Sequence, residues 1–395
     1  MQGNHFPAAP NSYLPERVTS QRRRLSHYSY DSLGNPWVSG GGALRDFEAL
    51  KRYAARWDVT LFVGRYPGFV PTERDGVRIR GLGFGGRNSL CRLTFALFAN
   101  LRVLFDGADR IGYSLSAFAP ILTGNLRPGR FFAVLHHIVA DDAVKKYGAL
   151  GALPRALEAA MLGRGSNFIV SNAAVAARIR AANPGARVLT TSNSIDASLL
   201  ALEARPADPP YILFLGRFDI HMKGLDLLIG AFSALAAYPA DGEPAGLRLV
   251  LAGSASPEAL AAVRRLLPAP LEGRVELRPN VDDAGKKSLL AGCLFFASPS
   301  RFEGFGIAAL EANAAGKAVL ATDADGFGAS VKRDVTALIV PAGDATGVEL
   351  GLRRLAADAD LRGRLGRAGR EWAKGFDWDA IAARELRWIE DGFTG

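Results

Sequence analysis

The sequence predicts an α/β protein made of two doubly wound domains. Three observations carry that prediction. Strand-like and helix-like segments alternate along most of the chain, the alternation stops and restarts near residue 205, and 395 residues are enough for two cores of ordinary size. Hydrophobic residues make up 49% of the chain and charged ones 22%, a globular balance. Cys91 and Cys293 are the only cysteines and lie far apart, which fits neither a disulfide framework nor a zinc site and suits a reducing compartment. The opening "MQGNHFPAAPNSYLPE" lacks the apolar stretch of a secretory signal, and no uncharged apolar run reaches bilayer length. The expectation is a cytoplasmic protein, soluble or held at the inner face of a membrane.

The first domain is expected over residues 1–205, with a loose start over 1–24. "LSHYSY" reads as its first strand. A loop follows with Pro36 and the triple glycine Gly40, Gly41 and Gly42, then a helix ending near Trp57 and the strand "VTLFVG". "RIGYSLSAF", "RFFAVLHHI" and "SNFIVSN" add apolar runs, separated by the helical "LPRALEAAMLG" and "AAVAARIRAA". Pro206, Pro209 and Pro210 form a stiff connection. The second domain, 206–375, then runs through "YILFLG", "GLDLLIGAFSALAAY", "LRLVLAG", "VELRPN", "AGKKSLLAGC", "LFFASP" and "AVLAT". Residues 376–395 close the chain as an amphipathic helix whose apolar face carries Trp378, Ile381, Leu386 and Trp388. Two such domains place the carboxyl ends of their strands on opposite walls of a cleft, where open α/β sheets bind ligands.

Charge divides unevenly. Residues 1–205 hold 26 Lys and Arg against 14 Asp and Glu, a balance of +12, while the remainder holds 22 against 25, a balance of −3. The basic half is expected to face something acidic: nucleic acid, anionic lipid or an anionic acceptor. In "RNSLCRLTFALFANLRVLF", Leu90, Leu93, Leu97, Leu101 and Leu104 recur at helical spacing among Arg87, Arg92 and Arg102. A basic amphipathic helix of that kind suits an anionic membrane surface; the competing reading is a helix packed on its own sheet.

Two stretches of the second domain carry chemistry. In "FLGRFDIHMKGLDLL", Gly216 ends a strand, Arg217 follows at once, and Lys223 with Gly224 opens the next helix. Two cations at a strand end and a helix start suit a diphosphate. In "RFEGFGIAALE", a strand leads into Arg301–Gly306 and a helix follows from Ile307 to Ala314. Gly304 and Gly306 allow close backbone approach and aim the first helix amides at negative oxygen. Glu311, one turn into that helix, can accept from a vicinal diol, and Glu303 sits in the turn beside the phosphate. A glycosidase would need the two carboxylates set on opposite faces of one sugar, which a single turn and helix does not supply. No companion His, Asp or Cys lies at metal-ligand spacing, so no metal site is expected.

On these residues the chain resembles the retaining GT-B glycosyltransferases of glycosyltransferase family 4. "EGFGIAALE" resembles that family's E-x7-E element, "GRFDIHMKGLDLL" its G-R…K-G-x-D segment, "SNSIDASLL" its N-G-[IV]-D segment and "FDWDAIAARELRWIE" its closing helix, over roughly residues 190–390. The resemblance implies GT-B architecture, with two Rossmann-like domains facing across a cleft and the last helix crossing back to the first. It implies that Gly216, Arg217 and Lys223 meet the donor diphosphate, that Glu311 holds the ribose and that Glu303 bonds the donor sugar. It further implies that the amides of Phe305, Gly306 and Ile307 contact phosphate or sugar, and that Val281 meets the base through its backbone. Gly41 and Gly42 match a glycine loop near the donor phosphates and the acceptor, and His136 or His137 matches a histidine near the transferred sugar. Adjacent residues on a strand point to opposite sides, so one histidine faces the cleft. Ser194 stands where the family has glycine, which puts a left-handed backbone there in question.

The function expected is a hexosyltransferase-type, retaining, metal-independent transfer from a UDP- or GDP-linked sugar to a hydroxyl acceptor. The acceptor is open among a lipid-linked sugar, a polysaccharide precursor and a small metabolite. No cofactor and no nucleic acid partner are expected. The competing readings are a nucleotide-sugar epimerase on the same fold and a non-catalytic module that binds polyanions.

Overall fold

The computed structural model of the chain describes residues 22–38, 40–136, 138 and 148–394. His137 and residues 1–21 of the expected loose start lie outside them. The first sheet contains β1 (Arg24–Ser29), β2 (Asp58–Gly64), β3 (Thr72–Arg74), β4 (Val77–Leu82), β5 (Arg110–Ser114), β6 (Phe131–Leu135), β7 (Asn167–Val170) and β8 (Arg187–Thr190). Their order is β3-β4-β2-β1-β5-β6-β7-β8; β3 pairs antiparallel to β4 and every other pairing is parallel. The second sheet contains β9 (Tyr211–Leu215), β10 (Arg248–Gly253), β11 (Val275–Pro279), β12 (Phe295–Ser298), β13 (Val319–Thr322) and β14 (Ala337–Val340). It is parallel throughout, in the order β11-β10-β9-β12-β13-β14.

The central strands are continuous apolar runs because helices cover both faces. "YILFL" in β9 is buried at every position, and so is "FFAVL" in β6. Strand order reverses between β1 and β5 in one sheet and between β9 and β12 in the other. Neighbouring strands leave in opposite directions at these points, opening a crevice beyond their carboxyl ends. The segments expected to carry chemistry follow β9 and β12.

Four strands do not show in the sequence pattern. β3 and β4 carry alternating charge, "TER" and "VRIRGL", while β8 "RVLT" and β14 "ALIV" are short and half-buried outer strands. Both cysteines are buried and unpaired. No helix among the described residues is long and apolar enough to cross a membrane.

The chain's last helix, Trp378–Glu390, leaves the second domain and joins the core of the first. Ala382, Leu386, Trp388 and Ile389 pack with Phe47, Leu50 and Trp57. Ser194 is not left-handed; it is buried, and its hydroxyl donates to the Phe376 carbonyl just ahead of that helix. Serine therefore acts here through its side chain and not through glycine-like backbone freedom. Glu385 is fully buried and accepts from Arg45, from the Tyr53 hydroxyl at 2.5 Å and from the Thr191 hydroxyl at 2.7 Å. One carboxylate thus ties the helix to the Gly41–Tyr53 helix at two residues and to the chain just past β8.

Removing one partner of a buried pair leaves the other charge without a partner. Glu385→Ala should lower stability by about 3–5 kcal/mol, read by denaturant unfolding. A loss below about 1 kcal/mol, the scale of an exposed ion pair, would show that the helix is held by its apolar face alone.

Candidate functional site

The second-domain wall is built where the loops after β9 and β12 touch. Asp219 caps the short Ile220–Lys223 helix, its carboxylate accepting from the Met222 amide at 3.0 Å. Gly224 ends that helix in the left-handed region, with φ of 65°. A Cβ at this position would lie 2.1 Å from the Pro299 carbonyl oxygen, so only glycine lets the two loops meet. The Arg301 and Phe302 amides donate to the Met222 carbonyl at 2.9 and 3.2 Å. Arg301 also grips Asp226 through two bonds of 2.8 and 2.7 Å.

This junction sets Lys223 against Glu303: the ammonium donates to Oε2 at 2.8 Å, with both side chains mostly buried. Arg217, just past Gly216 and the end of β9, is 58% exposed at its side chain and only 3.9 Å from Asp219, which leaves its guanidinium presented to solvent. The site therefore holds one cation in a close, mostly buried pair and one, mostly exposed, in a long pair with Asp219.

Gly306 starts the Ile307–Ala314 helix with φ of 85°. Its lack of a side chain is explained by the protein itself, since a Cβ would meet Phe327 at 2.6 Å and the Ser330 hydroxyl at 2.7 Å. The first-turn amides have no intrahelical partner, as at any helix start. The Phe305 side chain is buried against Phe376, so only its backbone is offered to a ligand. Glu311 lies deeper and accepts from Lys286 at 2.7 Å. Burial raises the Glu311 carboxyl above its ordinary range, against the pull of Lys286. Val281 follows the end of β11, half-buried and packed against the second-domain core. His221 is exposed, a surface residue.

The first-domain wall is the Gly41–Tyr53 helix with the ends of β1, β5 and β6. A Cβ on Gly41 would come 3.1 Å from the Ile307 side chain across the cleft, and one on Gly42 would come 3.1 Å from His136. The Asn172 side chain donates to the Gly304 carbonyl at 2.9 Å, a second crossing. The glycine loop, His136 and the Glu303 turn therefore form one neighbourhood.

Behind His136 lies a polar cluster that the sequence pattern did not reveal. His136 Nε2 is 3.2 Å from Asp46 Oδ1. The Ser114 hydroxyl donates to Asp46, Ser29 does so at 3.3 Å, and His27 Nε2 lies 2.9 Å from the Ser114 oxygen. Burial alone would raise Asp46, but His136, His27 and Arg45 outweigh it and hold this carboxylate well below its usual range. His27 goes the other way, pushed down to about 4 chiefly by burial, and is neutral. Asp31, just past β1, is pushed up to about 6 by burial and by the charge of Asp46, against His136, Arg92 and the cross-cleft Arg217. Among the described residues, no group of three or more His, Cys, Asp and Glu is placed to hold a metal ion.

Comparison with known proteins now bears on this geometry. Residues 201–372 match the family model described as glycosyl transferases group 1. This segment belongs to the glycosyl transferases group 1 family. The chain is 31% identical over 212 residues to a phosphatidyl-myo-inositol mannosyltransferase of Mycolicibacterium smegmatis, covering 52% of each chain. It is 33% identical over 184 residues to a D-inositol 3-phosphate glycosyltransferase of Xylanimonas cellulosilytica, covering 46% of this chain and 42% of that one. The matches thus span about half the length of these curated relatives. Among solved structures, sucrose-phosphate synthase from Thermosynechococcus elongatus superposes with a TM-score of 0.77 at 20% identity, covering 94% of this chain and 99% of that one. Anabaena HepE in complex with UDP-glucose gives 0.70 at 18%, covering 93% and 99%. The fold is GT-B.

The Asp31 carboxyl supplies a test of the cleft's electrostatics. Its folded value of about 6 exceeds the ordinary 3.8, so its stability contribution is present below the ordinary value and is lost as pH rises through about 6. Asp31→Asn should therefore stabilise the protein on the order of 1 kcal/mol near pH 8 and little near pH 4, read as melting temperature. Equal effects at both ends would contradict the placement.

Proposed function

We propose that the protein is a retaining, hexosyltransferase-type glycosyltransferase. It takes a sugar from a UDP- or GDP-linked donor and passes it to a hydroxyl of a lipid-linked or polysaccharide-precursor acceptor, working at the cytoplasmic face of a membrane. The observation that carries this reading is the crevice between β9 and β12. There, Arg217, the Lys223–Glu303 pair and the start of the Ile307–Ala314 helix converge opposite Gly41, Gly42 and His136. The family match over residues 201–372 and the glycosyl-transfer names of the relatives support the reaction class.

In this reading the diphosphate lies at the helix start, between the Arg217 guanidinium and the Lys223 ammonium. Glu303 then turns from Lys223 to the sugar hydroxyls, and Lys223 turns to phosphate. Glu311 accepts from the ribose diol, and Val281 meets the base through its backbone. The bond from the anomeric carbon to the diphosphate oxygen breaks, and the charge that develops on that oxygen is met by two fixed cations and helix amides. That is the electrostatic task a metal performs elsewhere, and the reaction here needs neither a metal nor another cofactor. The acceptor oxygen bonds to the same face of the sugar, and its proton passes to the departing phosphate oxygen. His136, held by Asp46, faces the transferred sugar from the first domain.

Arg217→Ala and Lys223→Ala should each cut transfer by about 10²–10³-fold. The assay is product formation over a panel of UDP- and GDP-sugars, with a chelator leaving the rate of the parent unchanged and NMR showing retained anomeric configuration. Near wild-type turnover in both variants would falsify the assignment.

A further inference from the structure

The Asn88–Phe105 helix turns one apolar face inward and a second one outward. Cys91, Thr94, Phe95, Ala99 and Val103 are buried against the first sheet. On the other side Leu90, Leu93, Leu97, Leu101 and Phe105 are 46, 69, 56, 50 and 85% exposed, in one stripe along the whole helix. Phe84, 58% exposed, meets Phe98 edge-on at 5.4 Å and widens it. Soluble surfaces leave single apolar residues in water but rarely a continuous row. Packing on the sheet, the competing reading of this helix, accounts for the first face and not the second.

Along the helix and the segment leading into it the charge has one sign. From residue 76 to 105 the chain carries Arg78, Arg80, Arg87, Arg92 and Arg102 and no Asp or Glu. At the helix's carboxyl end a cavity of about 610 Å³ opens beside the stripe, lined by Phe62, Leu82, Phe98, Leu101 and Phe105, with Arg24 and Arg102 also in its wall. The acids of that wall have partners: Asp58 pairs with Arg78 at 2.6 Å, and Asp106 accepts from the Tyr28 hydroxyl at 2.6 Å. Arg102 lies 4.3 Å over the Phe62 ring, and among the described residues no carboxylate is within ion-pair distance of it. A cavity of mixed wall, apolar side chains on one part and arginines on another, suits an anionic amphiphile. The cavity sits at the amino ends of β1 and β2, away from the cleft.

We propose that this helix seats on a bilayer leaflet containing anionic phospholipid, and that the cavity takes one acyl chain of such a lipid while Arg102 and Arg24 meet its phosphate. The inference deepens the membrane-facing acceptor of the proposed function. The surface is fixed by the first domain, so the donor cleft stays open while the protein is docked.

The test uses the full chain and vesicles of phosphatidylcholine with and without phosphatidylglycerol, read by co-sedimentation. Binding should need phosphatidylglycerol, weaken with salt, and fall roughly tenfold or more in Leu93→Asp/Leu97→Asp. These two residues are exposed, so the variant should keep the parent's melting temperature and its thermal shift with UDP or GDP. For the cavity, the added emission of Phe98→Trp over the parent should be quenched by phosphatidylglycerol brominated in its acyl chain. Binding that ignores lipid charge, or its persistence in the Leu93/Leu97 variant, would overturn the docking. Binding without quenching at position 98 would overturn the acyl-chain site. A dimer in light scattering that the variant abolishes, with no vesicle binding, would assign the stripe to a second copy of the chain. The nucleotide shift is read separately, so loss of docking and loss of the glycosyltransferase reading are distinguishable.

Discussion

The site depends on one close approach. The loops after β9 and β12 meet backbone to backbone at Gly224 and Pro299, with no room for even a methyl group between them. Because the strand order reverses at that point, the two loops lead into helices on opposite faces of the sheet, and only their meeting brings Lys223 to Glu303. The Met222 carbonyl, accepting from the Arg301 and Phe302 amides, and the two-bond grip of Arg301 on Asp226 hold the junction. A side chain at position 224 would spread the loops and separate the charges before any ligand arrived.

Around that junction the buried carboxylates come with partners. Glu303 has Lys223, Glu311 has Lys286, Glu385 has Arg45, and Asp46 has His136 with the Ser114 and Ser29 hydroxyls. Buried charges cost several kcal/mol each unless they are paired and hydrogen-bonded. The pairs differ in what they leave free. Glu385 is fully enclosed, serves three donors and holds the last helix, which makes it architectural. The Lys223–Glu303 pair lies at the crevice with one bond between the side chains, which suits two groups that part when a diphosphate and a sugar compete for them. Asp31, which has no ion-pair partner among the described residues, shows the consequence in its raised carboxyl value.

Much of this was legible in the sequence because the parts are local. "YILFLG", "LFFASP" and the glycine-punctuated turn after β12 state their structure in adjacent residues, and the spacing from Glu303 to Glu311 sets both on one loop and helix. What the sequence hid was long-range. Lys286 reads as one of two surface lysines in "AGKKSLL", and nothing local shows that Glu311 will lie over it. Asp46 and His27 are ordinary residues of a helix and a strand until β5 and β6 bring Ser114 and His136 against them. β4 and the edge strand β8 do not show because arginines and half-burial mask their period. The leucine stripe of the Asn88–Phe105 helix was visible, but which of its apolar faces met the sheet was settled only by the fold.

In the proposed function, Lys223 is held by Glu303 until a donor diphosphate takes it. A crystal structure of the protein with a bound nucleoside diphosphate tests this most directly. The expected result is phosphate oxygens between Arg217 and the start of the Ile307–Ala314 helix, with Lys223 Nζ moved from Glu303 to within hydrogen-bond distance of phosphate. A diphosphate bound elsewhere, or one bound with the Lys223–Glu303 pair unbroken and Lys223 away from phosphate, would contradict it.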